Sequence, residues 1–231
     1  MDALVMCGGR GTRLGAVGAD AEKPLVGVGG EPMIDRVLAA LSASRVDRVH
    51  AVVSPDAPET AASLRGADDS GDGDDAATAG VSVVEAPGEG YVADLGYALE
   101  RVERPVLTVA ADLPLLSAGV VDRAIDAAGD ASLSVYVPVE LKRELGVSVD
   151  PETTTTRDGR AVAPTGLNVV GADDGTGDRD GDHGDENALV VADERLAVNV
   201  NRPRDLRVAE ALLRRRRRER TDQVPDHGDH Q

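Results

Sequence analysis

Three glycines in four positions follow the first apolar run of the chain. Leu4-Val5-Met6 leads into Cys7-Gly8-Gly9-Arg10-Gly11-Thr12-Arg13-Leu14-Gly15. Glycine lets a backbone approach a polyanion closely and turn successive N–H groups toward it. Arg10 and Arg13 add positive charge and paired donors that match phosphate oxygens. Lys23, in Glu22-Lys23-Pro24-Leu25, is close enough in sequence to fold over the same place. The pattern is neither the Gly-Lys-Ser/Thr phosphate loop nor the G-x-G-x-x-G dinucleotide form. A plain glycine-rich turn is the alternative; Gly-Thr-Arg after a strand and a downstream Lys-Pro argue against it.

A second candidate is Asp112 in Val109-Ala110-Ala111-Asp112-Leu113-Pro114-Leu115. An acidic residue directly after a buried strand lies at the carboxyl edge of a sheet, where a metal can be held. Mg²⁺ prefers oxygen ligands and keeps several waters, so a lone carboxylate suits it. The alternative is that Asp112 caps the next helix. A third is Ala197-Val198-Asn199-Val200-Asn201-Arg202-Pro203-Arg204-Asp205-Leu206, a strand entering the last helix, in which Asn201 could equally be a cap beside Pro203.

These residues need a scaffold. Val-rich runs at 3–6, 49–53, 81–84, 106–110 and 133–137 read as buried strands. Helical patterns fall at 34–41, 91–102, 120–128 and 204–220. Alternating strands and helices predict an α/β fold with a mostly parallel central sheet covered by helices on both faces. Ligands bind such sheets outside the carboxyl ends of the strands. The expected organisation is one domain over 1–220, with acidic Gly/Asp-rich loop insertions at 66–80 and 171–187, and a flexible polar tail at 221–231.

The formal net charge is −17, and the chain has no Phe, no Trp and only Tyr91, Tyr97 and Tyr136 as aromatics, so Val, Leu, Ala and Ile must build the core. The acid excess reads as adaptation to a salty cytosol, where screening is short-ranged. It also disfavours nucleic acid as a partner, although the arginines between 214 and 220 are a candidate anion site; a solvated helix end is the plainer reading. The single cysteine forms no internal disulfide, and Cys7 reads as packing rather than as a nucleophile. His50 reads as structural, and His183, His227 and His230 lack metal-ligand spacing. No basic leader or membrane-length apolar run stands out, which leads us to expect a cytoplasmic protein with no membrane span.

The opening MDALVMCGGRGTRLG with EKPL resembles the signature of the nucleotidyltransferases that include sugar-phosphate and molybdenum-cofactor enzymes. The resemblance implies a Rossmann-like nucleotidyltransferase domain. The loop Cys7 to Arg13 (with Gly8, Gly9, Arg10, Gly11 and Thr12) would hold the triphosphate, and Lys23 would act on the reacting phosphates. Asp112 would bind the catalytic metal, and Asn201 would share it. Arg10 stands where relatives often carry Lys, which keeps the charge but not the geometry.

Two further segments, Pro87-Gly88-Glu89-Gly90-Tyr91-Val92-Ala93-Asp94-Leu95 and Ala163-Pro164-Thr165-Gly166-Leu167-Asn168-Val169-Val170, resemble the archaeal adenosylcobinamide-phosphate guanylyltransferases. This implies GTP and adenosylcobinamide phosphate as substrates, with Gly88, Gly90 and Gly166 near the nucleotide. A carboxylate such as that of Asp94 can accept from guanine N1–H and N2–H₂, although aspartate on a helix surface is common.

The implied reaction is attack by the acceptor's phosphate on the α-phosphorus of GTP with release of pyrophosphate, with Arg13, Lys23, Asp112 and Mg²⁺ carrying the charge. Molybdopterin or a sugar phosphate as acceptor, a nucleotide-binding regulator without catalysis, and a nucleic-acid binder are the rival readings. A homodimer is left open.

Overall fold

The computed structural model describes residues 1–9, 11–17, 21–69, 80–172 and 187–222. In chain order the strands are β1 (Asp2–Met6), β2 (Gly27–Val28), β3 (Glu31–Pro32), β4 (Val49–Val53), β5 (Val81–Glu85), β6 (Val106–Ala110), β7 (Leu133–Pro138), β8 (Thr155–Arg157), β9 (Arg160–Val170) and β10 (Asn187–Val190). The α-helices are α1 (Met33–Ser42), α2 (Pro58–Asp69), α3 (Tyr91–Leu99), α4 (Ala118–Ala128), α5 (Val139–Glu144), α6 (Glu194–Ala197) and α7 (Pro203–Asp222). Two short 3₁₀ segments, Thr12–Val17 and Lys23–Leu25, follow β1.

The main sheet runs β10-β7-β9-β6-β1-β4-β5, with β8 paired to β9. β1 is parallel to both β4 and β6, and β4 is parallel to β5. β9 is antiparallel to β6 and β7 and so interrupts an otherwise parallel array. The chain builds outward from β1 through β4 to β5, then crosses back to β6 on the other side. That reversal lies between β1 and β6, where an open α/β sheet leaves a crevice at its carboxyl edge.

Strand β1 shows why it sits at the centre. Ala3 and Val5 face one apolar layer with α1 and α4, whereas Leu4 and Met6 face a second layer with Ala98 of α3. A strand apolar on both faces must be covered on both. A third cluster packs Leu14, Val28, Met33 and Val200 against Leu206, Ala209 and Leu212 of α7.

The structure corrects several boundaries. Residues 66–69, expected in an acidic loop, continue α2; Pro58 and Glu59 suit its first turn, and Leu64 is buried on its inner face. The remainder of that call, 70–79, lies outside the described residues, as do 173–186 and 223–231. Asn187, expected in the second loop, opens β10, and residues 221–222, expected in the tail, end α7. The helix expected over 91–102 ends at Leu99. At the amino edge of the sheet, His50 links Asp2 (3.2 Å) and Ser82 (2.6 Å) across three strands.

Candidate active site

The glycine loop and Asp112 leave the two strands that flank the reversal point. The loop is pinned where it begins: Cys7 N–H donates to Val52 O and Ala111 N–H to Met6 O. Cys7 is buried, and burial pushes its thiol up to about 12, which makes it a packing residue and no nucleophile. Gly11 has a φ of +61°, and a Cβ there would stand 3.2 Å from Cβ of Lys23. The loop therefore needs glycine both for its turn and to let Lys23 pass.

Lys23 is held from two sides. Its Nζ donates to Asp112 Oδ2 at 2.6 Å and to Asn201 Oδ1 at 2.7 Å. Behind it, Glu22 accepts the N–H groups of Glu59 (2.8 Å) and Thr60 (2.7 Å), satisfying donors that the first turn of α2 leaves unpaired. Glu22 thus ties the lysine segment to a helix. We expect Glu22→Ala to cost roughly 1–2 kcal/mol of stability, in the range of a lost cap. Displacing Lys23 should lower turnover roughly tenfold. Thermal melts and steady-state rates check both; an unchanged rate would show that Lys23 does not depend on this anchor.

Asp112 is no helix cap, because α4 begins six residues later with Ser117 at its N-cap. Val200 N–H donates to Asp112 O, which brings the Asn199–Asn201 segment alongside. Asn199 donates from Nδ2 to Asp112 Oδ1 (3.3 Å) and to Thr165 O (2.7 Å). Lys142 in turn donates from Nζ to Asn199 Oδ1 (3.2 Å) and Ala197 O (2.7 Å). Burial lowers the Lys142 pKa, opposed by Asp205 and Asp112. Asp205, fully buried in the first turn of α7, accepts from the backbone N–H of Asn201, Arg202 and Ser148. The side chain of Asn201 therefore faces Lys23, while Asp205 takes over the capping role considered for it.

Two cavities adjoin over the glycine loop. One, about 230 Å³, is lined by Met6, Cys7, Gly8, Gly9, Lys23, Tyr91 and Asp112. The other, about 190 Å³, is lined by Gly8, Gly9, Val52, Ser54, Gly88, Gly90, Tyr91 and Asp94. Asp94 is not on a helix surface: it is 5% exposed, and its Oδ1 accepts from Gly88 N–H at 2.8 Å. Tyr91 is half exposed and borders both cavities. Burial, and then the charge on Asp112, raise its hydroxyl pKa.

Not every expected residue gathers here. Arg13 lines a third cavity of about 420 Å³, beyond Asn201, and lies 3.8 Å from Asp150. Arg10 lies outside the described residues, and of Thr12 only the backbone is described. Gly166 sits beneath the site: β9 is irregular opposite Val135, and with φ at +83° a Cβ on Gly166 would stand 2.9 Å from Cβ of Ala110. Asn199, Lys142 and Asp205 carried no role in the sequence reading. Their signals were the Asn-x-Asn spacing and the rarity of lysine, since Lys23 and Lys142 are the only two in the chain.

Asp112 Oδ2 and Asn201 Oδ1 converge on a single ammonium. Two oxygens meeting one cation fit Mg²⁺, which takes one or two protein carboxylates and leaves the rest of its shell to phosphates and water. No cluster of three or more His, Cys, Asp or Glu suited to a metal occurs among the described residues.

The MobA-like NTP transferase domain model matches residues 3–220. The chain belongs to this family. Adenosylcobinamide-phosphate guanylyltransferase of Methanocaldococcus jannaschii is 28% identical over 223 residues, covering 93% of this chain and 98% of that protein. Among solved structures, a hypothetical transferase of Thermus thermophilus aligns with a TM-score of 0.51 at 23% identity, over 74% of this chain and 65% of that one. A candidate glucose-1-phosphate thymidylyltransferase from Bacillus anthracis, in complex with sucrose, aligns with a TM-score of 0.54 at 14% identity, over 74% and 72%. These two likenesses establish the fold. The expected Rossmann-like nucleotidyltransferase architecture is what the MobA-like chain has. No helix among its described residues is long and apolar enough to cross a membrane.

Proposed function

We propose that this MobA-like transferase moves GMP from GTP to the phosphate of adenosylcobinamide phosphate, releasing pyrophosphate. The observation that carries the reading is the Lys23 ammonium held between Asp112 and Asn201 beside the glycine-loop cavity. The choice of substrates rests on the Methanocaldococcus jannaschii relative and its coverage of nearly the whole chain.

The chemistry needs little from the protein beyond position and charge. A monoester phosphate is ionised at neutral pH, so its oxygen attacks the α-phosphorus without a general base. The new P–O bond forms as the bond from the α-phosphorus to the bridging oxygen of the pyrophosphate breaks. Glycine-loop N–H groups cradle the triphosphate, and Lys23 offsets the charge that builds on the reacting oxygens. Where Mg²⁺ accompanies GTP, Asp112 and Asn201 Oδ1 would hold it, and it would supply charge neutralisation at the phosphates.

Guanine would be read in the cavity lined by Asp94, because a carboxylate can accept from guanine N1–H and N2–H₂, a pair of donors that adenine, with N6–H₂ beside the acceptor N1, does not offer. In calorimetric titrations at high salt with Mg²⁺, GTP should bind ahead of ATP, CTP and UTP. In Asp94→Asn the preference for GTP over ATP should fall about tenfold or more, because an amide nitrogen opposes the guanine donors. Equal binding of all four by the native chain would sink the guanylyl assignment while leaving the fold untouched. An unchanged preference in Asp94→Asn would move base reading elsewhere. In the arginine run, Arg214 pairs with Glu210, and Arg215 and Arg216 pair with Glu194.

A further inference from the structure

The third cavity lies across Asn201 from the glycine loop, and its lining includes Arg13, Lys142, Ser148, Asn199, Asn201 and Arg202. Lys142 is the unusual member. It is 5% exposed, yet no carboxylate oxygen lies within 4 Å of its Nζ among the described residues; Asp205 and Asp112 act on it only from a distance. A buried cation ordinarily has a contacting anion. An ammonium has three donors, and Ala197 O and Asn199 Oδ1 take two. The third is unspent in a side chain that borders a cavity.

The neighbours are suited to the same ligand. Asn201 Oδ1 accepts from Lys23, which leaves its amide N–H₂ as donors at the cavity wall. Arg202 is exposed on the rim; its backbone is tied into the start of α7, with its N–H donating to Asp205 and its C=O accepting from the N–H groups of Asp205 and Leu206, and no ion pair holds its guanidinium among the described residues. Arg13 adds a second guanidinium. Ser148 contributes none, because Asp205 accepts from both its N–H and its hydroxyl. Asp150 and Glu152 also border the cavity, and Asp150 lies near Arg13. The acids thus belong to the exposed rim and the unpartnered cation to the floor.

We infer that this cavity is the subsite for the phosphate monoester of the acceptor, with Lys142 as its buried anchor and Arg202 and Asn201 as its walls. The assignment rests on the transferase reading above and deepens it. A dianion placed here meets Lys142, and Asn201, which lines this cavity and accepts from the Lys23 that lines the glycine-loop cavity, joins the two sites, so that an acceptor oxygen would approach the α-phosphorus past the Lys23–Asn201 pair. An arginine at position 142 would not serve: a guanidinium is broader and rigidly forked, whereas a slim ammonium fits between Ala197 O and Asn199 Oδ1.

The test uses the full chain and propyl phosphate, a bare monoester with no corrinoid. Binding is followed by ³¹P NMR, with GTP and pyrophosphate titrated separately. The native protein should bind propyl phosphate. Lys142→Met and Arg202→Ala should each weaken that binding about tenfold or more while leaving GTP and pyrophosphate affinity within about twofold. Arg202 is exposed, so its variant reads the site even if the Lys142 variant folds poorly. In assays of transfer, both variants should raise the acceptor KM more than they lower kcat. Absence of propyl phosphate binding to the native chain, or equal binding by both variants, would overturn the assignment. Parallel loss of pyrophosphate affinity would give the subsite to the leaving group and overturn it too. Should the native chain bind propyl phosphate but guanylylate no cobinamide phosphate, the choice of acceptor fails and the subsite stands.

Discussion

Lys23→Ala should lower nucleotidyl transfer about 10²- to 10³-fold, the usual loss when one donor to developing charge is removed. The fold should survive, because Asp112 and Asn201 each border a cavity that water can enter. Lys23→Arg should recover little. The lysine stem runs past Gly11 and Gly9, where added Cβ atoms would stand 3.2 Å from its Cβ and 3.5 Å from its Cδ. A guanidinium fork at the end of that passage meets Asp112 and Asn201 in the wrong geometry. Single-turnover rates with saturating GTP separate this loss of chemistry from a loss of binding. Turnover within a few-fold of the native rate would contradict the role.

Asp112→Asn should be at least as damaging, with turnover down about 10³-fold, because the change removes the carboxylate that holds Lys23 and the oxygen charge that a divalent cation needs. The amide has a single oxygen, so it keeps the bond from Lys23 but turns its N–H₂ on the donor of Asn199, and melting should fall modestly, by about the worth of one hydrogen bond. Asp112→Ala is different. It leaves Lys23, whose side chain is 17% exposed, without its anion, and a broken pair of this kind costs about 3–5 kcal/mol when fully buried and less here. The two variants together separate charge for catalysis from charge for stability. If Asp112→Asn keeps native rates at ordinary Mg²⁺ concentrations, the metal is held elsewhere.

Strands β1, β4 and β6 were legible in the sequence because each is a short Val-rich run buried on both faces, and the glycines and Asp112 that follow them carried the site with them. Helix α2 was not legible. Its segment PETAASLRGADD offers few large apolar positions and ends in acids, and it is defined by Ala57, Ala61 and Leu64 packing into the core. Asp94 was placed near the base, with a surface aspartate as the alternative, but its burial was not legible, because periodicity cannot reveal that the first turn of α3 lies beside the glycine loop that follows β1. The partners of Asn199 could not be read either, since Asp112 is 87 residues distant and the contact depends on Val200 pairing with Asp112 O. Lys142 left a trace in composition alone: where nearly every basic residue is arginine, both lysines lie within two hydrogen-bond steps of Asp112.

The most direct measurement is the stoichiometry of products formed from GTP, Mg²⁺ and adenosylcobinamide phosphate by the purified chain at high salt. Equal amounts of pyrophosphate and a guanylylated cobinamide, with neither formed when acceptor is omitted and both formed about 10²- to 10³-fold more slowly when Lys23 is alanine, is the predicted result. Tight GTP binding without pyrophosphate release would contradict it and make the chain a nucleotide-binding protein on a transferase fold.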